Sequence, residues 1–185
     1  MKHIDRIIQK HRFLVASREI TSNSSLLDIG CHQGELFEFL EKKNIRGIGL
    51  DNLLENPKTL RNGEISLIKS YFPNESLKGL QFDYITGLAV FEHIPLKEQI
   101  IIAQSCYKLL RNGGKLIITI PNPFVDYILD VLLKLRLIDG MSLEEHQDIK
   151  PKQVIENIMA SGLILVKHQM FQLGLNNLIV FEKTL

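Results

Sequence analysis

Cysteine is scarce: only Cys31 and Cys106 occur among the 185 residues, and no spacing pairs them. Their scarcity excludes a disulfide framework and a cysteine-based zinc site, and a chain of this length can bury an adequate core without either. An excess of one charge is also missing, since 22 Lys and Arg against 21 Asp and Glu leave a formal net charge of +1. No global field then favours nucleic acid or an acidic membrane. The longest basic cluster, Lys42-Lys43 with Arg46, falls at a helix end, where cations offset the helix dipole. No apolar stretch is long and clean enough to span a bilayer, and the opening Met1-Lys2-His3-Ile4-Asp5-Arg6 is charged where a signal peptide would be apolar. These absences leave a soluble, cytoplasmic domain of enzyme size as the expectation.

What is present reads as alternating strands and helices. Ile4, Ile7, Ile8, Leu14 and Val15 recur at helical spacing and predict an amphipathic helix over 4–20, within an N-terminal segment of residues 1–24. Apolar runs at 25–29, 45–50, 65–68, 82–86 and 115–120 predict five strands. Between them, Leu36, Phe37 and Leu40 line one helix, a weak helix interrupted by Pro57 fills 52–61, and Leu96, Ile100, Ala103, Tyr107 and Leu110 line another. Gly113-Gly114 stops that helix. Strands separated by helices call for a parallel sheet with right-handed crossovers. A further helix from about 151 to 161 precedes two runs, 163–171 and 177–182, whose short Gly174-containing link forces them to be antiparallel neighbours. The expected fold is a doubly wound α/β domain with a mostly parallel seven-stranded sheet and an antiparallel C-terminal hairpin. No repeat or linker divides residues 1–185, so one domain is expected, with 121–150 as its cap or lid.

The chemistry collects at the first two strand tips. Leu26-Leu27-Asp28-Ile29-Gly30-Cys31-His32-Gln33-Gly34 is a strand running into a glycine turn that opens a helix, and the second strand ends in Asp51. Such a pair of features holds the adenosine half of a cofactor. Gly30 permits the sharp turn, Gly34 permits close helix packing, and the helix N-terminus favours a carboxylate. Asp28 suits an ammonium group, and Asp51 suits two ribose hydroxyls. A ligand carrying carboxylate, ammonium and ribose in that sequence is S-adenosylmethionine.

In these residues the chain resembles the class I S-adenosylmethionine-dependent methyltransferases, in particular the small-molecule group related to ubiquinone-biosynthesis and methionine-biosynthesis-associated enzymes. Asp28 to Gly34 is similar to the family's first motif, and Gly49-Leu50-Asp51 to its second. Phe82-Asp83-Tyr84-Ile85 through Phe91-Glu92-His93-Ile94-Pro95 resembles its fourth-strand segment, and Leu110-Arg111-Asn112-Gly113-Gly114-Lys115-Leu116 its turn into strand five, followed by Pro121-Asn122-Pro123. The resemblance implies methyl transfer from S-adenosylmethionine, leaving S-adenosylhomocysteine, to a small acceptor, an apolar one if the run 124–138 covers it. It implies cofactor contacts at Asp28, Gly30, Cys31, His32, Gly34, Asp51, Asn52, Ser70 and Leu88. His32 stands where the family has its middle glycine. Lys69-Ser70-Tyr71-Phe72 replaces the acid that usually receives the adenine amino group, so Ser70 would accept that bond and Tyr71 or Phe72 would stack.

Methyl transfer from a sulfonium is an in-line displacement that positioning alone can accelerate, so neither a triad nor a metal is expected. His93 either assists proton removal from the acceptor or orients the next helix. Phe124 and His146 are substrate-side candidates, His146 equally readable as a solvated loop residue. Cys31 sits at a helix N-terminus, which lowers a thiol pKa, but nothing nearby suggests covalent chemistry, so it reads as a wall of the loop. The apolar run 124–138 is either a packed cap or homodimer contact, or a lid over an apolar acceptor. Three rivals share part of the pattern. An NAD-dependent oxidoreductase would want Gly-x-Gly-x-x-Gly, which His32 breaks. A nucleic-acid methyltransferase would want a Pro-Pro-aromatic turn after strand four, where Thr86-Gly87-Leu88-Ala89 stands, and a basic stripe. A catalytically silent cofactor-binding scaffold differs only in turnover.

Overall fold

The computed structural model of the protein describes residues 3–122 and 150–184, with side chains from residue 6. The apolar run 124–138, Phe124 and His146 lie outside the described residues.

Helix α1 (His3–Ser17) leads into β1 (Ser25–Ile29), α2 (Glu35–Phe39) and β2 (Arg46–Asp51). Then come β3 (Lys58–Leu60), β4 (Ile65–Lys69), β5 (Phe82–Leu88), α3 (Leu96–Leu109) and β6 (Leu110–Pro121). A last helix, α4 (Pro151–Met159), precedes β7 (Ile164–Phe171) and β8 (Asn176–Glu182). The strands form one sheet in the order β3-β4-β2-β1-β5-β6-β8-β7. β4, β2, β1, β5 and β6 run parallel, whereas β3, β7 and β8 pair antiparallel with their neighbours.

Alternation along β1 shows why the sheet is covered on both faces. Leu27 and Ile29 face one apolar layer with Phe91, Ala103, Cys106, Val154 and Ile158, which come from α3, α4 and the turn after β5. Leu26 faces the opposite layer with Phe13 and Ala16 of α1, Ile20 just after it, and Leu36 and Phe37 of α2. Side chains of period two between two helix layers produce this three-layer sandwich. From β1 the chain winds outward through β2 to β4, then returns to β5 on the other side. The switch point therefore lies between β1 and β5, where an open α/β sheet forms its ligand crevice.

Among the described residues the sheet has eight strands rather than the expected seven. The segment 52–61 is not a weak helix: Lys58–Leu60 pairs antiparallel with β4 and covers its edge. Pro57 removes a helix-forming amide, and an open edge beside it offers a ladder that the helix would leave unpaired. β6 also begins earlier than residue 115. Leu110 already pairs with Phe82, and a register irregularity absorbs Gly113-Gly114 inside the strand. These glycines bend a strand; they do not end the helix, which stops at Leu109. The basic cluster acts across elements: Lys43 Nζ donates to the carbonyls of Ser17 and Ile20, closing the C-terminal end of α1.

Candidate functional site

The turn after β1 is built by backbone constraint. Gly30 and Gly34 adopt φ of +73° and +91°. A Cβ on Gly30 would strike the Val90 side chain, and one on Gly34 would approach Leu67 Cδ1 to 2.8 Å. The amides of Gly30 and Cys31 both donate to the Leu50 carbonyl, at 2.8 and 3.1 Å, which draws the turn onto the tip of β2. His32 occupies the left-handed region with φ +47°. A glycine would sit there freely, and histidine is among the side chains that tolerate it. Its Nδ1 lies 2.7 Å from Glu35 Oε1, and the side chain is 63 % exposed.

Asp51 closes the loop from the other side. Oδ2 accepts the His32 amide at 2.8 Å and Oδ1 accepts the Leu53 amide at 2.8 Å. A carboxylate has about four lone-pair positions, so both oxygens keep capacity for hydroxyl donors. Asp28 is buried at the end of β1 and accepts from Thr86 Oγ1 at 2.7 Å. Burial raises its pKa to about 7, and Glu35 and Asp51 add to the rise while the Thr86 bond opposes it. Cys31 is buried too, and burial with Asp28 and Asp51 nearby pushes its thiol pKa up. The lowering expected from the helix terminus is overturned: α2 is only five residues long, and desolvation among carboxylates outweighs its dipole.

A cleft of about 50 Å³ opens beside this turn. Asp28, Gly30, Cys31, His32 and Leu88, all expected to contact the cofactor, are among the residues that line it. Three residues of α1, Gln9, Arg12 and Phe13, form a wall for which the sequence gives no expectation. Arg12 carries no motif signal, since a single arginine on an amphipathic helix reads as a solvated charge. Its Nε is shut off from solvent with no hydrogen-bond acceptor among the described residues, and burial lowers its pKa. A space of this size suits a carboxylate with an ammonium, whereas a nucleoside would have to lie along the open strand tips.

The other predicted positions are spread along those tips. Ser70 follows β4, its amide donating to the Asp51 carbonyl at 3.2 Å. Its hydroxyl receives Asn74 Nδ2 and donates to the Tyr71 carbonyl at 3.0 Å, so its one donor is already used. Asn52 sits in the turn after β2, half-buried. Leu53 and Tyr71, each 75 % exposed, stand at the tips of β2 and β4. Phe72 instead packs against the core. His93, exposed, ends a 3-10 turn, Phe91–His93, after β5. Gln99, buried on α3, fixes that turn by donating to the carbonyls of Phe91 and Ile94 at 3.2 and 3.0 Å. Among the described residues no group of acids, histidines and cysteines could hold a metal ion, and no helix is long and apolar enough to cross a membrane.

A glycine turn at the switch point of a doubly wound sheet, faced by an acid on the next strand, defines a nucleoside-cofactor protein of the Rossmann-like class. The model of the methyltransferase domain family matches residues 2–162, and the chain belongs to that family. It is 26 % identical over 154 residues to a ubiquinone biosynthesis O-methyltransferase of Psychrobacter arcticus, covering 76 % of this chain and 59 % of that protein. An Acinetobacter baumannii protein of the same name is 24 % identical, with 78 % and 65 % covered. The chain thus spans about three-fifths of the length of these relatives. Among solved structures, the Burkholderia thailandensis 1,6-didemethyltoxoflavin-N1-methyltransferase, with its substrate and S-adenosylhomocysteine bound, superposes with a TM-score of 0.70 at 16 % identity, covering 98 % and 83 %. The N-methyltransferase NodS of Bradyrhizobium japonicum gives 0.64 at 15 %, covering 99 % and 98 %. The fold is that of the class I S-adenosylmethionine-dependent methyltransferases.

Proposed function

We propose that the chain transfers a methyl group from S-adenosylmethionine to a small acceptor molecule. The observation that carries the reading is the Asp51 carboxylate, held at the tip of β2 by the backbone of the glycine turn it faces. The residues fit that donor. The turn has no room for a Cβ at Gly30 or Gly34, and the adjoining cleft holds a buried acid and an arginine with an unused buried donor atom. Asp51 would take the ribose hydroxyls, Asp28 the ammonium, and Arg12 with the turn amides the carboxylate. Leu53 and Tyr71 would flank the adenine, with Asn52 and Ser70 at its rim, and Leu88 would wall the cleft beside Cys31.

The sulfonium supplies an electrophilic methyl with a good leaving group. The chain's work is therefore to hold the acceptor's nucleophile in line, where positioning is worth up to roughly 7–11 kcal/mol. His93, fixed after β5 by the Gln99 clamp, would accept the acceptor's proton where one must leave. The relatives named for ubiquinone biosynthesis favour an acceptor of modest size with apolar character. Phe124 and His146 would face it, and the apolar run 124–138 would cover it or join two copies of the chain.

Calorimetry with S-adenosylhomocysteine tests the donor half, and methyl transfer to a panel of phenolic, amine and apolar small acceptors tests the rest. Donor binding together with turnover on one acceptor class is the expected result. Binding of a nicotinamide dinucleotide in place of S-adenosylhomocysteine would overturn the reading, and tight donor binding without turnover on any acceptor would leave a silent scaffold.

A further inference from the structure

Thr119 is a fully buried polar residue near the end of β6, in a run whose neighbours Ile117, Ile118 and Ile120 are apolar. Its hydroxyl has a partner in the chain that leaves β5. The Ala89 amide donates to the Thr119 carbonyl and to Thr119 Oγ1, both at 3.1 Å. The carbonyl bond continues the β5–β6 ladder, in which Leu88 pairs with Thr119. The hydroxyl bond is additional, and it falls where the backbone departs from the strand. Ala89 sits there in the left-handed region, with φ +59°. That conformation is unfavourable for a residue with a Cβ and persists only where the surroundings impose it. The residues on either side of Ala89 meet the donor turn. Leu88 lines the cleft, and the Val90 side chain fills the space that a Cβ on Gly30 would need. The handedness of Ala89 therefore sets how the chain after β5 packs against the glycine turn.

We propose that Thr119 is a positioning residue, whose hydroxyl holds Ala89 in its left-handed conformation and so fixes Leu88 and Val90 around the cleft that takes the donor's amino-acid end. The inference rests on the reading of the cleft as the donor site. Thr119 does not line the cleft, and it acts through Ala89. Without the hydroxyl, the Ala89 amide keeps its ladder bond to the carbonyl, but less opposes relaxation of the turn toward the regions that alanine prefers. Leu88 and Val90 then leave their places for part of the time, and the apparent donor affinity falls by the fraction of chains still in the competent form.

The test uses the full chain and two ligands, S-adenosylhomocysteine and 5′-methylthioadenosine, which lacks the amino-acid end. Thr119→Val keeps the shape and the carbonyl bond and removes the hydroxyl. It should weaken S-adenosylhomocysteine roughly fivefold, the order expected for one neutral hydrogen bond. It should shift 5′-methylthioadenosine by less than about twofold, since that ligand leaves the amino-acid part of the cleft empty. Thr119→Ser restores the hydroxyl and should bind S-adenosylhomocysteine within about twofold of wild type. Glycine adopts the left-handed region unaided, so in an Ala89→Gly background Thr119→Val should change S-adenosylhomocysteine affinity by less than about twofold. Three results would each overturn the proposal: equal losses for both ligands, a Thr119→Ser variant as weak as Thr119→Val, or an undiminished loss in the Ala89→Gly background. If Thr119→Val does not fold, Thr119→Ala replaces it with the same expectations, because it too lacks the hydroxyl and keeps the carbonyl bond. A wild-type chain that binds 5′-methylthioadenosine but discriminates against the amino-acid end takes that end out of the cleft and overturns the proposal. One that binds neither ligand removes the donor reading itself.

Discussion

Asp51 has two structural bonds before any ligand arrives, to the amides of His32 and Leu53. Asp51→Ala therefore removes a ribose acceptor and loosens the turn at once. Charge-assisted hydrogen bonds are worth about 1.5–3 kcal/mol each, so the dissociation constant for S-adenosylhomocysteine should rise about tenfold to a hundredfold. Calorimetric affinity within a factor of two of wild type would take Asp51 out of the donor site. Asp28 gives a second prediction, in pH. Its folded pKa of about 7 lies above its ordinary 3.8, so between those values the folded chain keeps a proton that the unfolded chain has lost. Its contribution to stability consequently falls as pH rises through that window. Glu92, raised from 4.5 to about 7 by burial, acts in the same direction. A bound ammonium favours the Asp28 anion. The thermal shift produced by S-adenosylhomocysteine should be larger near about pH 7.5 than near about pH 5.5. Equal shifts at both would mean that Asp28 does not meet the ammonium. Residues of this kind differ in how far the sequence exposes them. Asp28, Gly30, Gly34 and Asp51 were legible because backbone geometry demands them at fixed intervals. Arg12 was not, because its place on the cleft wall comes from packing α1 against the sheet, and no local spacing records how remote elements meet.

At the scale of elements, the turn carrying Glu92 and His93 depends on one side chain of α3. Gln99 is fully buried, donates to two carbonyls of that turn, and has its own oxygen met by Asn157 Nδ2 from α4 at 3.2 Å. Asn157 also donates to the Leu96 carbonyl at 3.1 Å, so a polar chain ties α4 and α3 to the turn. Gln99→Leu keeps the volume and strands both carbonyls, which should cost about 1–3 kcal/mol in urea unfolding. A loss below about 0.5 kcal/mol would mean that water reaches those carbonyls in the folded chain. The sequence shows this helix as an apolar stripe and hides Gln99, because periodicity registers burial and is silent about which buried residue is polar. The same blindness explains β3. Three residues beside a proline form no pattern, and only the uncovered edge of β4 makes them a strand. Where elements have length and period, as in β1, β2, β5 and the β7–β8 hairpin, sequence and structure agree to within a residue or two.

For the molecule as a whole, the sheet order decides which parts sense the donor. The strand tips on both sides of the β1–β5 switch point converge on the cleft, while the β7–β8 hairpin lies two strands beyond β5. α1 is different from the other helices: one of its faces packs through Phe13 and Ala16 into the core, and Gln9, Arg12 and Phe13 border the cleft. Its C-terminal end is fastened by Lys43, and its first half receives a bond from Gln172 Nε2 to the Ile8 carbonyl at 2.9 Å. A helix on the cleft wall, with Arg12 Nε midway along it lacking an acceptor among the described residues, opens locally at lower free energy than the central strands. A donor that engages Arg12 binds the closed form and not the open one, and so stabilises α1 by mass action. Hydrogen–deuterium exchange with and without saturating S-adenosylhomocysteine should show slowed exchange across α1 and in the turn from Gly30 to Gly34. The β7–β8 amides, remote from the cleft, should exchange at unchanged rates. Protection confined to the turn, with α1 unaffected, would show that the donor binds without Arg12. The N-terminal helix would then be only a cover for the sheet.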